Sequence, residues 1–318
     1  LRKDWILILI IRGMKVLIIG LGSIALKHIK ALQELYPSVV IYALRRKGEP
    51  FKGIKGIIEV FDIDEIAIDT LSFILISNPT SVHYNTIQKV IRYKKPLFIE
   101  KPLFEALSKE ANDLVTEVEK QGIPTYVACN LRFLESIIKI KELLVGKRVN
   151  EVNVYCGSYL PNWRPNVDFR KIYSANKEMG GGVHIDLIHE LDYVYWLFGT
   201  PIHTQSFFSN KSSLNITAYD YANYLWEYDD FSVSVVLNYY RRDSKRTLEI
   251  LTDEGTYLVD LLKNNISYND EIVFQSSQLS LETYTAQMQF FVEEILNRQT
   301  KFNTIVEANK ILELCLQE

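Results

Sequence analysis

Cysteine is scarce in this chain. Three occur in 318 residues, Cys129, Cys156 and Cys315, odd in number and far apart. That excludes a disulfide-stapled scaffold and a paired-cysteine metal site; buried thiols in a reducing, cytoplasmic setting are expected. A surplus of positive charge is also missing. Lys and Arg number 36 against 39 Asp and Glu, a formal net charge of −3, so there is no broad basic field for nucleic acid. Long apolar runs are lacking too: Trp5–Ile11 falls far short of the roughly 20 apolar residues that span a bilayer. No repeat, low-complexity tract or flexible linker interrupts the chain. What is present, 47% hydrophobic and 24% charged residues, is the balance of a packed globular protein. A length of 318 residues fits two tightly joined domains better than one.

Arg2 and Lys3 ahead of Trp5–Ile11 mimic the front of a secretory signal, but no small-residue cleavage site follows. Met14 opens a segment that reads well by itself, Met14-Lys-Val-Leu-Ile-Ile-Gly20. Residues 1–13 are therefore expected to be an upstream extension, with Met14 the natural start.

Residues 15–19 form a continuous apolar run ending in glycine, as does a strand buried on both faces. Leu26, Ile29, Leu32 and Leu35 then recur on one helical face until Pro37 closes it. Further strand-like runs cover Val39–Leu44, Leu71–Ile76 and Pro96–Ile99, with a helical pattern over Ser81–Tyr93. This alternation predicts an α/β domain over 14–130 with a doubly wound parallel sheet. After residue 130 the style changes. Glu151–Cys156, Phe231–Leu237 and Arg246–Leu251 alternate apolar with polar residues, the pattern of antiparallel strands with one packed face. Helices are predicted over Val183–Leu197, Thr283–Asn297 and Ile305–Leu316 in a second domain, 131–318.

Gly20-Leu-Gly22-Ser23-Ile24-Ala25 matches G-x-G-x-x-G/A between a strand and a helix, the context of a Rossmann dinucleotide loop. The first glycine permits the turn, the second admits a pyrophosphate, and the small Ala25 lets helix and strand pack closely; the helix N-terminus faces the anion. An NAD site usually has an acid about 20 residues further on. Ser38–Gly48 has none, and the strand ends in Arg45-Arg46-Lys47, where guanidinium groups suit a 2′-phosphate. NADP(H) is expected to be favoured, with NAD(H) possible; the bland alternative is a solvated basic turn.

Ser77-Asn78-Pro79-Thr80 and Glu100-Lys101-Pro102 each follow a predicted strand, and so lie at the sheet edge where ligands bind. An ammonium there, at Lys101, can hydrogen-bond a substrate hydroxyl and stabilise a developing alkoxide. Gly180-Gly181-Gly182 leads into a helix on which Asp186 and His189, three apart, share a face. His189 can take a hydroxyl proton near neutral pH with the carboxylate orienting it; a capped helix with a core histidine is the alternative. Zinc held by His184, Asp186 and His189 is conceivable, but His184 points to another side of the helix, and no metal is expected.

Together Gly20-x-Gly22-x-x-Ala25, Asn78-Pro79-x-x-x-His83, Glu100-Lys101-Pro102 and Gly180-Gly181-Gly182…Asp186…His189 occur in an order and spacing that resembles the Gfo/Idh/MocA oxidoreductases. This family is named for glucose–fructose oxidoreductase and inositol 2-dehydrogenase, and the resemblance covers nearly the whole chain from Met14. It implies a Rossmann domain followed by an α/β domain with a large, mostly antiparallel open sheet, which in relatives often forms a homo-oligomer interface. It further implies that Lys101 is the catalytic lysine, and that His189, with Asp186, accepts the proton. Gly20, Gly22, Ser23 and Ile24 would hold the pyrophosphate. Asn78, Pro79, His83 and Glu100 would line the cofactor groove, and Asn130 would border the nicotinamide. Relatives commonly have three residues between that Asp and His, where only Leu187 and Ile188 intervene here; one residue fewer rotates a helical side chain by about 100°.

Tyr159, Trp163, Arg164, Asp168, Arg170 and Tyr173 occupy the stretch that faces the substrate in relatives. Aromatic faces and Arg forks there suit a sugar derivative; an aromatic loop packing on the sheet is the alternative. The implied reaction is reversible oxidation of a secondary alcohol on a sugar, cyclitol or derivative, with no nucleic-acid or membrane partner. A non-catalytic NADP-binding sensor, or redox chemistry on an imine, a biliverdin-like pigment or a dihydrodiol, are the other readings that the family leaves open.

Overall fold

Unbroken aliphatic runs build the first sheet. Strands β1 (Lys15–Ile19), β2 (Val40–Leu44), β3 (Ile57–Val60), β4 (Phe73–Ile76), β5 (Leu97–Glu100) and β6 (Thr125–Ala128) lie in the order β3-β2-β1-β4-β5-β6, every pair parallel. Every residue of β4, β5 and β6 is buried, as expected where helices cover both faces. Helix α1 (Ser23–Leu35) follows β1, α2 (His83–Val90) follows β4, and α3 (Lys109–Lys120) follows β5. The order reverses between β1 and β4, which opens a crevice at their C-terminal ends. Within α1 the buried face is Ala25, His28, Ile29, Ala31 and Leu32. Leu26, expected on that stripe, is instead 44% exposed and lines the crevice.

The computed structural model describes residues 13–48 and 53–317, so the extension expected over 1–13 lies, Gly13 apart, outside the described residues. The chain divides into two compact units: one runs to Asn130 and includes Ser280–Lys310, and the other is Leu131–Leu279 with the residues from Ile311 on.

In the second unit, α4 (Glu135–Leu143) precedes an eight-stranded sheet of β7 (Val149–Tyr159), β8 (His203–Ser209), β9 (Tyr221–Glu227), β10 (Ser232–Asn238), β11 (Tyr240–Thr252), β12 (Thr256–Asp260), β13 (Asn265–Tyr268) and β14 (Glu271–Gln275). Its order is β14-β13-β12-β11-β7-β10-β9-β8, antiparallel except where β7 runs parallel to β10. Alternation decides its faces. Val152, Val154, Val233, Val235, Leu248, Ile250, Tyr224 and Trp226 are buried, whereas the row Leu225, Ser234, Asn153, Glu249, Leu258 crosses the other face. A single helix over Val183–Leu197 is not what forms. There are two, α5 (Val183–Asp186) and α6 (His189–Phe198), because Leu187 leaves helical space at φ −100°, ψ 27°.

Residues 280–310, expected to stay with the second domain, pack in the first unit as α7 (Glu282–Phe290) and a π-helical turn at Phe291–Leu296. Phe291 meets Phe73 and Phe98 edge-on, at 5.0 and 5.2 Å between ring centroids. Helix α8 (Ile305–Leu316) closes the chain. Among the described residues no helix is long and apolar enough to cross a membrane.

Candidate active site

The glycine loop stands at the crevice of the first unit. Gly20 ends β1 at φ +94°, and a Cβ there would lie 2.4 Å from the Asn78 backbone nitrogen. Glycine is thus required for β1 and the end of β4 to approach, beyond the tight turn. Ser77 Oγ donates to the Gly20 carbonyl at 2.8 Å across the same seam. Gly22 differs: a Cβ would meet nothing within 4 Å. It precedes α1 in an extended conformation without a side-chain cap, and no acid stands in the first turn. Amides near Ser23 and Ile24 therefore face open space with the positive end of the helix dipole behind them. A groove of about 1100 Å³ continues from this loop past Leu44, Arg45 and Arg46 on one side and Asn78 and Pro79 on the other. An open groove, an uncapped helix and room at Gly22 fit a dinucleotide with its pyrophosphate on the loop.

Other predicted residues lie elsewhere. Arg45 borders the groove, yet its guanidinium pairs with Glu59 on β3 at 3.1 Å and its side chain is 8% exposed. Arg46 is exposed. Asn78 donates from Nδ2 to Thr86 Oγ1 at 2.8 Å, and its Oδ1 is buried without a hydrogen-bond partner. His83 and Glu100 do not line the groove: both are buried. The His83 ring sits among the carbonyls of Asn78, Pro102 and Leu103. Glu100 bonds His28 of α1 and accepts the Lys101 backbone N–H at 3.2 Å. Asn130, also buried, donates to Thr283 Oγ1 at 2.7 Å, tying the end of β6 to α7. Lys101 is half-buried at the tip of β5, two strands over from the loop.

The second unit holds Asp186 and His189. At the α5–α6 junction amides reach back three residues, Ile188 N–H to Ile185 O at 3.4 Å and Glu190 N–H to Leu187 O at 3.2 Å. Asp186 and His189 stand on either side of this junction, and both are half-buried. Tyr239, fully buried, donates its phenol hydrogen to Asp186 Oδ2 at 2.5 Å. Burial, then the Asp186 carboxylate, holds that phenol well above its ordinary pKa, so it stays a donor. Trp163 stands edge-on to Tyr239 at 5.2 Å, and Tyr173 acts on the same phenol. A Cβ at Gly181 would lie 2.0 Å from the Tyr173 carbonyl oxygen; glycine is what lets this segment close on the helix.

Tyr159 stacks under Arg242, 4.2 Å from its ring, and accepts from it at 3.0 Å. Arg164 is exposed. Asp168 and Arg170 close a local turn, Asp168 Oδ1 accepting from the Arg170 amide at 3.1 Å. His184 packs against Phe208 and Tyr219 and is 8% exposed, a core histidine.

Residue-type patterns missed His28, Tyr239 and the anchors of α6. Asp192 takes a bidentate pair from Arg132 at 2.9 and 2.8 Å, and Glu190 accepts from Arg246 at 2.5 Å. For His28, Glu190 and Asp192, polar residues on otherwise apolar helical faces were the available signal.

Similarity to known proteins agrees with this geometry. Residues 14–129 match the model of an oxidoreductase family with an NAD-binding Rossmann fold, and residues 137–258 match the GFO/IDH/MocA C-terminal domain. An uncharacterized oxidoreductase of Bacillus subtilis (strain 168) is 25% identical over 194 residues, 58% of this chain and 54% of that protein. The chain thus spans about half the length of such a relative. The scyllo-inositol 2-dehydrogenase (NAD(+)) of the same organism is 24% identical over 323 residues, 93% of this chain and 90% of that protein. The solved UDP-N-acetylglucosamine 3-dehydrogenase of Acidithiobacillus ferrooxidans has the same fold, with a TM-score of 0.74 at 16% identity over 96% of each chain. With both domain models matched in sequence and both sheets formed in order, this chain belongs to the Gfo/Idh/MocA oxidoreductase family.

Proposed function

We propose that the protein is a nicotinamide-dependent dehydrogenase acting on a secondary alcohol, or the matching ketone, of a sugar, cyclitol or sugar derivative. The observation that carries this is the pairing, in one sheet, of an open pyrophosphate groove at the β1–β4 switch with Lys101 at the neighbouring tip of β5. Relatives named for an inositol and a nucleotide sugar support the substrate class. Gly20, Gly22, Ser23 and Ile24 hold the pyrophosphate through backbone amides, and Asn78 and Pro79 wall the groove. When bound, the nicotinamide exchanges a hydride with the substrate carbon. Lys101 polarises the substrate oxygen, His189 takes or returns the hydroxyl proton, and Asp186, gripped by Tyr239, orients it. Tyr159, Trp163, Arg164 and Tyr173 shape the substrate side.

NADP(H) is the favoured cofactor in this proposal, and exposed Arg46, rather than Glu59-paired Arg45, carries the preference. A second copy of the chain is the partner of the open sheet face, where Phe207, Leu225 and Ile272 are 63%, 50% and 63% exposed; light scattering on a sizing column reads the assembly directly.

The test of the activity is oxidation of NADPH, with NADH in parallel, across a panel of keto-sugars and inososes. Turnover of at least one is expected, and Lys101→Ala should cut it about 10²- to 10³-fold with NADPH affinity kept. An inert wild type that still binds NADPH would leave a non-catalytic dinucleotide-binding protein.

A further inference from the structure

Two buried imidazoles flank Lys101, and hydride transfer assigns a task to neither. On one side, His28 projects from α1 and is fully buried. Its Nε2 bonds one oxygen of Glu100, whose other oxygen accepts the Lys101 backbone N–H at 3.2 Å. The ring is held edge-on by Phe98 of β5 at 4.9 Å and Tyr284 of α7 at 5.7 Å, and Nδ1 is buried without a hydrogen-bond partner. A carboxylate only accepts, so Nε2 carries the hydrogen. On the other side is His83, 1% exposed at the start of α2. Its Nδ1 lies 3.1 Å from both the Pro102 and the Leu103 carbonyl, and its Nε2 lies 3.0 Å from the Asn78 carbonyl.

We propose that His28 and His83 are positioning residues that brace the Glu100–Leu103 segment from both ends and so aim Lys101. This rests on Lys101 being the group that polarises the substrate oxygen. The strand β5 ends at Glu100, so the lysine stands just past the last residue that the sheet ladder registers. Lysine is a flexible stem with large rotamer freedom, and a misplacement of about 1 Å can cost about 10²-fold in rate. His28 also sits on the helix whose N-terminus forms the pyrophosphate loop. Seating of the dinucleotide and aim of the lysine therefore share one rigid element. His83 fills the space between the same segment and the Asn78 wall of the groove, with one ring N–H to donate to the carbonyls around it.

The test uses the full chain with His28→Phe, His28→Gln, His83→Phe, Glu100→Gln and Lys101→Ala. Phenylalanine keeps a ring and removes the hydrogen bonds; glutamine at 28 returns a donor near Nε2. Three quantities are read: hydrogen–deuterium exchange of residues 97–104, NADPH affinity by fluorescence, and turnover of whichever panel sugar the wild type reduces. Exchange at the Lys101 amide is expected to rise about tenfold or more in His28→Phe, with turnover down about 10- to 100-fold and NADPH affinity within about threefold. His28→Gln should recover most of both losses. His83→Phe should raise exchange at Leu103 and Phe104, with a similar kinetic split. Should His28→Phe not fold, Glu100→Gln, which keeps shape but leaves one acceptor oxygen for the two N–H donors, is expected to show the same pattern at smaller size. Unchanged exchange and turnover in folded variants, or glutamine behaving as phenylalanine does, would overturn the brace. Full activity in Lys101→Ala would instead remove the lysine from the chemistry while leaving the exchange result standing as its own measurement.

Discussion

Gly20 and Gly22 are two positions apart and meet opposite surroundings, so one substitution separates their roles. A methyl on Gly20 collides with the Asn78 backbone at 2.4 Å in a conformation of positive φ, where a non-glycine residue alone costs about 1–3 kcal/mol. Gly20→Ala should lower the melting temperature of the unliganded protein by roughly 2–10 °C. Gly22→Ala meets open space and should leave melting nearly unchanged while weakening NADPH binding, because the methyl points where a pyrophosphate would lie. Equal melting losses in the two variants would contradict that division. His83 gives a residue-scale pH dependence. Burial first, against opposing help from the Leu103, Asn78 and Pro102 carbonyls and from Glu100, lowers its pKa below the ordinary 6.5. The unfolded chain therefore binds this proton more readily, and stability rises with pH across the interval. The contribution is complete above the unfolded value and is lost as pH falls through it towards the lowered folded one. Melting of the wild type should drop more steeply than that of His83→Gln between about pH 7.5 and about pH 5; parallel curves would clear His83 of any part in acid lability.

At the scale of elements, α6 is the piece whose placement matters most, since His189 is its first residue. Two ion pairs fix it, Asp192 with Arg132, fully buried, and Glu190 with Arg246, whose guanidinium side is half-buried. Removing one partner strands a buried charge, so Asp192→Leu alone should cost about 3–5 kcal/mol, whereas Asp192→Leu with Arg132→Met should regain much of it. Urea unfolding of the two variants tests this, and a double variant no better than the single would break the pairing argument. Elements were unequally legible in the sequence. Residues 15–19 read correctly as an unbroken apolar run that ends in glycine, and Ile305–Leu316 by its helical period. The short strands β3, β6 and β12 to β14 went unread. The break at Leu187–Ile188 escaped notice because no glycine or proline marks it, only a change from four-residue to three-residue hydrogen bonding. In the candidate site, the loop glycines and Lys101 were legible from motif and context. His28 was hidden on the apolar stripe of α1, and Tyr239 lies more than 50 residues from the aspartate it grips.

For the molecule as a whole, the first unit is completed by a segment that arrives 150 residues after its last strand. Periodicity shows that Thr283–Asn297 has an apolar face but not which sheet that face will cover, so a boundary drawn once, at 130, assigned it to the later domain. Phe291 shows the consequence. It is fully buried, and its ring meets those of Phe73 on β4, Phe98 on β5 and Tyr126 on β6, at 5.0, 5.2 and 6.1 Å. A phenylalanine in such a site contributes about 3–5 kcal/mol relative to alanine. Its loss should fall on the unit whose core it fills. In Phe291→Ala, hydrogen–deuterium exchange should quicken across β4, β5 and β6 while β7, β10 and β11 keep their protection, because the buried face of the second sheet is lined by its own residues, Val152, Val235 and Leu248 among them. Dinucleotide binding should weaken in the same variant, since Gly20 and Asn78 stand on the affected sheet. Loss of protection spread evenly over both sheets would mean that the chain unfolds as one body, and the late segment would then be no more part of the first core than of the second.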